Sequence, residues 1–304
     1  MSAATPLMAS RPRVGASLDP GWRAVVDPAW LAGWTPRAFE LGDGTTDVVV
    51  MGEGPPLLLL PPLPGVKEAW LGVAAPLARS FRVVTFDLRC RYPGAPSLDV
   101  AMRDLERILD AHTAGPVIVI GHSMGGALAQ QWTLAHPERV AALVLSSSFT
   151  RVRNPAGNLY GRFVEQPVVI ASQRLLPERA AIGLARTLAR HGRWVYDARC
   201  DDRLLEFIRH CMRHTTARTA GAAVRLLLTC DTTARVGALR TPTLVLVGER
   251  ESAFSLPAAH ELARLIPGAT LEVSPGASHL HPLSNPGWFV DTVRGWLSEQ
   301  GLAR

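Results

Sequence analysis

Lysine, cysteine and aromatic residues are all scarce in this 304-residue chain. Its four cysteines form no CxxC pair and no dense scaffold, which excludes a small disulfide-held protein and favours reduced thiols. Aromatic residues make up only 6% of the chain, so the net charge of +6 lacks the interleaved aromatics of a nucleic-acid-binding surface. Lys67 is the single lysine beside 31 arginines.

Long apolar runs are also missing. No stretch approaches the roughly 18 apolar residues of a membrane span, and the first residues lack a basic leader followed by an apolar segment. We therefore expect a cytoplasmic protein without a membrane partner. The chain is 47% hydrophobic and 19% charged, which excludes a mainly disordered protein and predicts a sizeable core.

The sequence pattern divides the chain into three regions. Residues 1–35 are rich in Pro and Ala, carry three Trp without a period, and predict an irregular N-terminal arm. Residues 36–150 and 241–304 alternate apolar strand-like runs with helical periodicity, which is typical of a parallel sheet covered on both faces. Residues 151–240 are Arg-rich with helical periodicity, which predicts an inserted helical cap.

The predicted sheet is built from short runs of Val, Ile and Leu bounded by turn residues. A hairpin is expected after Pro36, with a Gly-Asp-Gly turn between its strands. The buried strands are predicted at Leu57–Leu60, Arg82–Phe86, Pro116–Ile120, Val140–Leu145, Thr243–Val247 and Thr270–Val273. Helices are predicted at Val100–His112, Met124–His136, Pro257–Leu265 and Trp288–Leu297. The fold class is therefore α/β, with a doubly wound and mostly parallel sheet.

The strongest local motif follows the strand Pro116–Ile120. The segment Gly121–Gly125 reads Gly-His-Ser-Met-Gly and leads directly into a helix, the strand–turn–helix context of a nucleophile elbow. A sharp turn would lift the Ser123 hydroxyl above the sheet, and the glycines leave room for the strand and helix to approach. We expect His122 to be a packed or hydrogen-bonded neighbour.

On this motif and its flanks, the sequence resembles the α/β-hydrolase superfamily, in the manner of serine esterases and lipases with a cap domain. The resemblance covers about residues 37–300. It implies that Ser123 is a catalytic nucleophile that needs a histidine base and an acid behind it. Asp87, after its strand, matches a structural loop anchor of the family.

The resemblance implies a base on the loop after the last strand. His279 fits there, with Pro286 seven residues on, and His281 is the alternative, although Pro282 restricts its backbone. The acid is expected on the loop after Thr243–Val247. There Glu251 occupies the usual position of an Asp, and Glu249 is the alternative.

A second family position for the acid holds no carboxylate, because Ser146, Ser147 and Ser148 follow the strand Val140–Leu145. The oxyanion hole is expected to use the backbone N–H of Met124. Its second donor normally follows the strand Leu57–Leu60, where prolines surround Leu63. Because proline has no N–H, Leu63 is the expected donor and Gly65 the second choice.

These residues predict a serine hydrolase that cleaves a carboxylic ester or lactone through an acyl-enzyme. A thioesterase, an acyltransferase, a carbon–carbon bond hydrolase and a non-catalytic ligand-binding homologue are the alternatives. No cofactor is expected. No metal is expected either, because Cys200, His210, Cys211 and His214 complete no tight ligand set.

The predicted cap is strongly basic. Residues 151–240 carry 16 Arg and 7 acidic residues, and the rest of the chain has a net charge of −3. Such a field could steer an anionic small molecule, or an acyl group held by a carrier protein or coenzyme A. A solvated Arg-rich helix face is the alternative interpretation.

Overall fold

The computed structural model describes residues 20–88, 97–152, 175–190, 199–213, 217–251 and 255–303. These residues contain eight strands: β1 Arg37–Glu40, β2 Thr45–Met51, β3 Pro56–Leu60, β4 Arg82–Phe86, β5 Val117–His122, β6 Val140–Ser146, β7 Thr243–Gly248 and β8 Thr270–Ser274. The described α-helices are α1 Leu71–Leu77, α2 Leu98–His112, α3 Met124–Ala135, α4 Glu178–Arg190, α5 Asp202–Arg213, α6 Ala217–Thr229, α7 Ser255–Leu265, α8 His281–Ser284 and α9 Pro286–Glu299.

The strands form one sheet in the order β1-β2-β4-β3-β5-β6-β7-β8. Strand β2 runs antiparallel to both of its neighbours, to β1 in a hairpin and to β4. All other neighbours are parallel, from β4 to β8. The carboxyl ends of these strands therefore meet at one edge, where open α/β sheets place their functional loops.

The central strands are apolar throughout because both faces of the sheet are covered. Side chains alternate between two cores, so that Leu57 and Leu59 belong to one and Leu58 and Leu60 to the other. Helices α1, α5 and α9 cover the first face, and α2, α3, α6 and α7 cover the second. The mostly parallel α/β architecture predicted from the sequence is confirmed.

The described part of residues 151–240 contains α4, α5, α6 and a short 3-10 turn at Val236–Ala238. Phe207 of α5 is fully buried and contributes to the first core. The prediction of a helical cap also covers residues 153–174, 191–198 and 214–216, which include His214 and lie outside the described residues.

Residues 20–35, within the predicted irregular N-terminal arm, pack against the core. They form 3-10 turns at Pro20–Ala24 and Pro28–Leu31, and the indole rings of Trp22 and Trp34 are buried. The Trp22 ring lies 6.0 Å from the Phe207 ring of α5, between centroids. Large aromatic surfaces gain most from burial, so this segment contributes to the core.

Among the described residues, no helix is long and apolar enough to cross a bilayer.

Candidate active site

Ser123 stands at the sharp turn between β5 and α3. Its backbone has φ 53° and ψ −115°, in a region that a residue with a side chain rarely adopts. The Ser123 N–H donates to the carbonyl of Ser146 at the end of β6, at 2.8 Å, and this bond holds the strained turn against the neighbouring strand. The side chain is partly exposed although both flanking residues are buried.

Glycine is required on both sides of this turn because the backbone segments touch. A Cβ added at Gly121 would lie 2.5 Å from the carbonyl oxygen of Gly125. A Cβ at Gly125 would overlap the Leu60 carbonyl oxygen at the end of β3. The N-terminus of α3 therefore presses directly on the start of the loop that follows β3, which brings this loop and the Met124 amide to the same corner.

His279 and Glu251 form a short hydrogen bond beyond the ends of β8 and β7. The Nδ1–H of His279 donates to Oε1 of Glu251 at 2.6 Å. The Glu251 side chain is fully buried, whereas that of His279 is 19% exposed. This bond fixes the imidazole tautomer, so that Nε2 is the nitrogen left to accept a proton.

Electrostatics at this pair favour its charged form. Burial lowers the pKa of His279, but the Glu251 carboxylate outweighs it and leaves that pKa above the ordinary value. Burial raises the pKa of Glu251, and the His279 imidazole reverses this and lowers it. The carboxylate is thus placed to stabilise an imidazolium without taking up the proton itself.

The two alternatives from the sequence have other partners. Oε2 of Glu249 accepts the backbone N–H of Gly276 at 2.6 Å, which ties it to the loop that carries His279. His281 is fully buried, and its Nε2 lies 3.1 Å from the hydroxyls of Ser146 and Ser147.

His122 lies between His279 and the end of β6. Its ring lies 5.0 Å from the ring of His279, between centroids, and its Nδ1 lies 2.8 Å from the Ser146 hydroxyl. The His279 ring therefore lies beside the residue that immediately precedes Ser123. Burial lowers the pKa of His122 well below its ordinary value, which favours the neutral ring.

The two amides expected in the oxyanion hole belong to Met124 and Leu63. Met124 is the first residue of α3, so its N–H has no acceptor within the helix. Leu63 packs against the core cluster that contains Met124, and among the described residues its N–H donates to no acceptor. The alternative donor Gly65 is occupied, since its N–H donates to the Pro62 carbonyl at 2.6 Å.

The sequence profile of the alpha/beta hydrolase family matches residues 57–292. The chain belongs to the alpha/beta hydrolase family. A pimeloyl-(acyl-carrier protein) methyl ester esterase of Chromobacterium violaceum is 30% identical over 257 residues, which are 83% of this chain and 98% of that protein. The predicted family is therefore confirmed, and this relative supports a hydrolase of ester-type bonds.

Solved structures agree on the fold. The enol-lactonase from Burkholderia xenovorans superposes with a TM-score of 0.71 at 20% identity, over 86% of this chain and all of that one. A thermophilic esterase from Thermogutta terrifontis has a TM-score of 0.69 at 24% identity, over 88% and 99% of the two chains. At such identities the likeness shows the shared fold.

Sequence reasoning missed a buried ionic cluster beside the loop that follows β3 in this alpha/beta hydrolase. The Lys67 ammonium lies 2.9 Å from Oε1 of Glu68 and 3.1 Å from Oδ2 of Asp87, and all three side chains are buried. Oδ1 of Asp87 also accepts the Lys67 backbone N–H at 2.9 Å. Asp87 thus anchors the loop that contains Leu63, and the uniqueness of Lys67 in the sequence was the signal that could have indicated it.

Burial also shapes the charges of this cluster. It lowers the pKa of Lys67, but the carboxylates of Asp87 and Glu68 outweigh it and raise that pKa above the ordinary value. Burial and the charge of Asp87 raise the pKa of Glu68.

In the part of the chain that the structure describes, no group of three or more His, Cys, Asp or Glu residues could hold a metal ion.

Proposed function

We propose that this alpha/beta hydrolase cleaves carboxylic esters, including lactones, of small to medium-sized molecules through an acyl-enzyme. Ser123 is the nucleophile, His279 the general base and Glu251 the residue that orients it. The observation that carries the proposal is the 2.6 Å bond between His279 and Glu251 beside a strained serine turn.

In this mechanism Nε2 of His279 takes the Ser123 proton as the hydroxyl oxygen attacks the ester carbonyl. The oxygen of the tetrahedral intermediate faces the N–H groups of Met124 and Leu63. His279 then gives its proton to the leaving alcohol. A water molecule, activated by the same nitrogen, releases the acid and regenerates the serine.

The test uses a short-chain p-nitrophenyl ester and a fluorophosphonate probe. We expect turnover and covalent labelling in the native chain, with the label on Ser123. Ser123→Ala should lower kcat by about 10³-fold or more and abolish labelling. Glu249→Gln is the matched carboxylate control and should retain most of the activity. A folded native chain that neither turns over the ester nor takes the label would instead favour a non-catalytic ligand-binding homologue.

An acyl group held on a carrier is the second candidate substrate, as an ester or a thioester. It is supported by the name of the Chromobacterium violaceum relative and by the excess of Arg over acidic residues in residues 151–240. Acyl-carrier and coenzyme A substrates should then show a kcat/KM that falls as salt is added. A kcat/KM independent of salt would contradict steering by the basic segment.

We further propose a reducing compartment such as the cytoplasm. Cys200, Cys211 and Cys230 are buried and form no disulfide, which supports this location.

A further inference from the structure

A row of polar side chains leads from Glu251 through Ser147 and His281 to Ser146 and His122. The Ser147 hydroxyl donates to Oε2 of Glu251 at 2.9 Å. Nε2 of His281 lies 3.1 Å from the hydroxyls of both Ser147 and Ser146. The Ser146 hydroxyl in turn lies 2.8 Å from Nδ1 of His122.

The hydrogen bonds of this row can run in only one direction. The carboxylate of Glu251 can only accept hydrogen bonds, so the Ser147 hydroxyl donates its single proton to Oε2. The contact between Ser147 and His281 can then be a hydrogen bond only if Nε2 of His281 carries a proton and donates it. Ser146 also accepts from this N–H and is free to donate to His122.

The proton count places a proton on Nε2 of His281, and the surroundings of Nδ1 favour the neutral ring. Its Nδ1 is buried, and no hydrogen-bond partner for it is found among the described residues. The rings of Phe289 and Trp288 lie 5.7 and 6.1 Å from the His281 ring, between centroids, and offer Nδ1 no acceptor. Burial lowers the pKa of His281 to about 4, which agrees with a neutral ring.

The backbone at Ser147 is strained in a way that fixes its hydroxyl. Ser147 has φ 46°, one of two positive values outside glycine among the described residues, and the other belongs to Ser123. Its N–H donates to the carbonyl of Leu246 on β7 at 2.8 Å. Because β6 and β7 are paired in parallel, this turn faces the loop that carries Glu251. Such strain persists where the surrounding structure holds it, often at functional sites.

We propose that Ser147 and His281 are positioning residues that hold the Glu251 carboxylate in line with His279. This inference rests on the proposed hydrolase mechanism. The Glu251 carboxylate has two oxygens, and each receives one donor, Nδ1–H of His279 on Oε1 and the Ser147 hydroxyl on Oε2. The N–H that His281 donates to the Ser147 oxygen favours the rotamer in which the Ser147 hydroxyl proton points to Oε2 of Glu251.

Activity measurements separate positioning from packing. Ser147→Ala should lower kcat about tenfold with little change in KM, because the lost support acts on the imidazolium formed in the transition state. Alanine is no more strained than serine at this backbone position. Ser274→Ala is the matched control: it removes a buried strand-end hydroxyl that accepts from Asn285 at 3.1 Å, and it should stay within twofold of the native chain.

Rescue tests the role of His281. Gln places an N–H near the position of Nε2, so His281→Gln should stay within about threefold of native activity. His281→Met has no donor and should lose about as much activity as Ser147→Ala. Equal kcat values in Ser147→Ala, Ser274→Ala and the native chain would overturn the proposal, as would equal losses in the Gln and Met variants.

A spectroscopic measurement keeps this inference distinct from the proposed function. The short bond from Nδ1 of His279 should give a far-downfield proton NMR signal that Ser147→Ala shifts or broadens and Ser274→Ala does not. Nitrogen-15 shifts should assign His281 as neutral with its proton on Nε2. A chain without ester turnover but with both signatures would refute the hydrolase alone. The positioning role would be refuted by an active chain in which Ser147→Ala leaves the downfield His279 signal unchanged. It would also be refuted if His281 carries its proton on Nδ1.

Discussion

Replacing His281 by Gln should make the folded chain less sensitive to acid. Below its ordinary pKa of 6.5, a histidine in the unfolded chain binds a proton, whereas the buried ring stays neutral down to a pKa of about 4. The unfolded state therefore binds more protons in this window, and stability falls as the pH falls. Gln has no such titration and keeps the N–H that faces Ser146 and Ser147.

The magnitude follows from the two pKa values. Each pH unit within the window changes the free energy of unfolding by about 1.4 kcal/mol per histidine. Between pH 7.5 and pH 5 the His281 contribution thus amounts to about 2 kcal/mol. The groups that face His281 are His122, His279 and Glu251, and their titration largely cancels between the two proteins because His281 is neutral at both pH values.

The assay is urea unfolding of the native chain and His281→Gln at pH 7.5 and pH 5. The difference in stability between the two proteins should shift by about 2 kcal/mol in favour of the variant at pH 5. His260→Gln, at an exposed position on α7, is the matched control and should show no such shift. If the native chain and His281→Gln lose stability in parallel as the pH falls, the assignment of a buried neutral imidazole is refuted.

Three further predictions concern the site and its supports. Glu251→Gln should lower kcat by about 10³-fold or more and move the acid limb of kcat/KM to lower pH, because the carboxylate raises the pKa of His279; an unmoved limb would argue against this pair. Lys67→Met should lower the free energy of unfolding by about 3–5 kcal/mol in urea at pH 7.5, because two buried carboxylates lose their cation. A decrease below about 1 kcal/mol would contradict this prediction. Gly125→Ala should lower the free energy of unfolding by about 1–3 kcal/mol and also lower kcat, because the added methyl group separates α3 from the end of β3. Gly295→Ala is the control: its methyl group would meet open space, so the same denaturation assay should show no change or a stabilisation of up to about 1 kcal/mol.

Much of the fold could be predicted because it depends on local patterns. The apolar run Leu57–Leu60 indicated a strand buried on both faces, and the structure gives β3 over Pro56–Leu60. The helix predicted from Val100 begins at Leu98, because the Ser97 hydroxyl accepts the Val100 N–H and caps it earlier. Buried aromatic residues such as Trp22 were harder to place, since their partner Phe207 is distant in the chain.

The candidate site was predictable in its residue types but not in its pairings. A serine in a Gly-x-Ser-x-Gly turn predicts its own strained backbone, because the motif and the turn are local. The choice between Glu251 and Glu249 depends on which way each side chain leaves the loop, and only the fold shows that Glu249 holds Gly276. Ser147 had no motif at all, since its role arises from a residue 104 positions away.

The sequence by itself thus determined the alternation of strands and helices, the parallel sheet and the serine turn, because periodicity and glycine content act over a few residues. Only the tertiary structure decided which histidine meets which carboxylate, that burial keeps His281 neutral, and that the single lysine neutralises buried acids. These outcomes depend on burial and on distances between residues far apart in the chain, and both are set by packing.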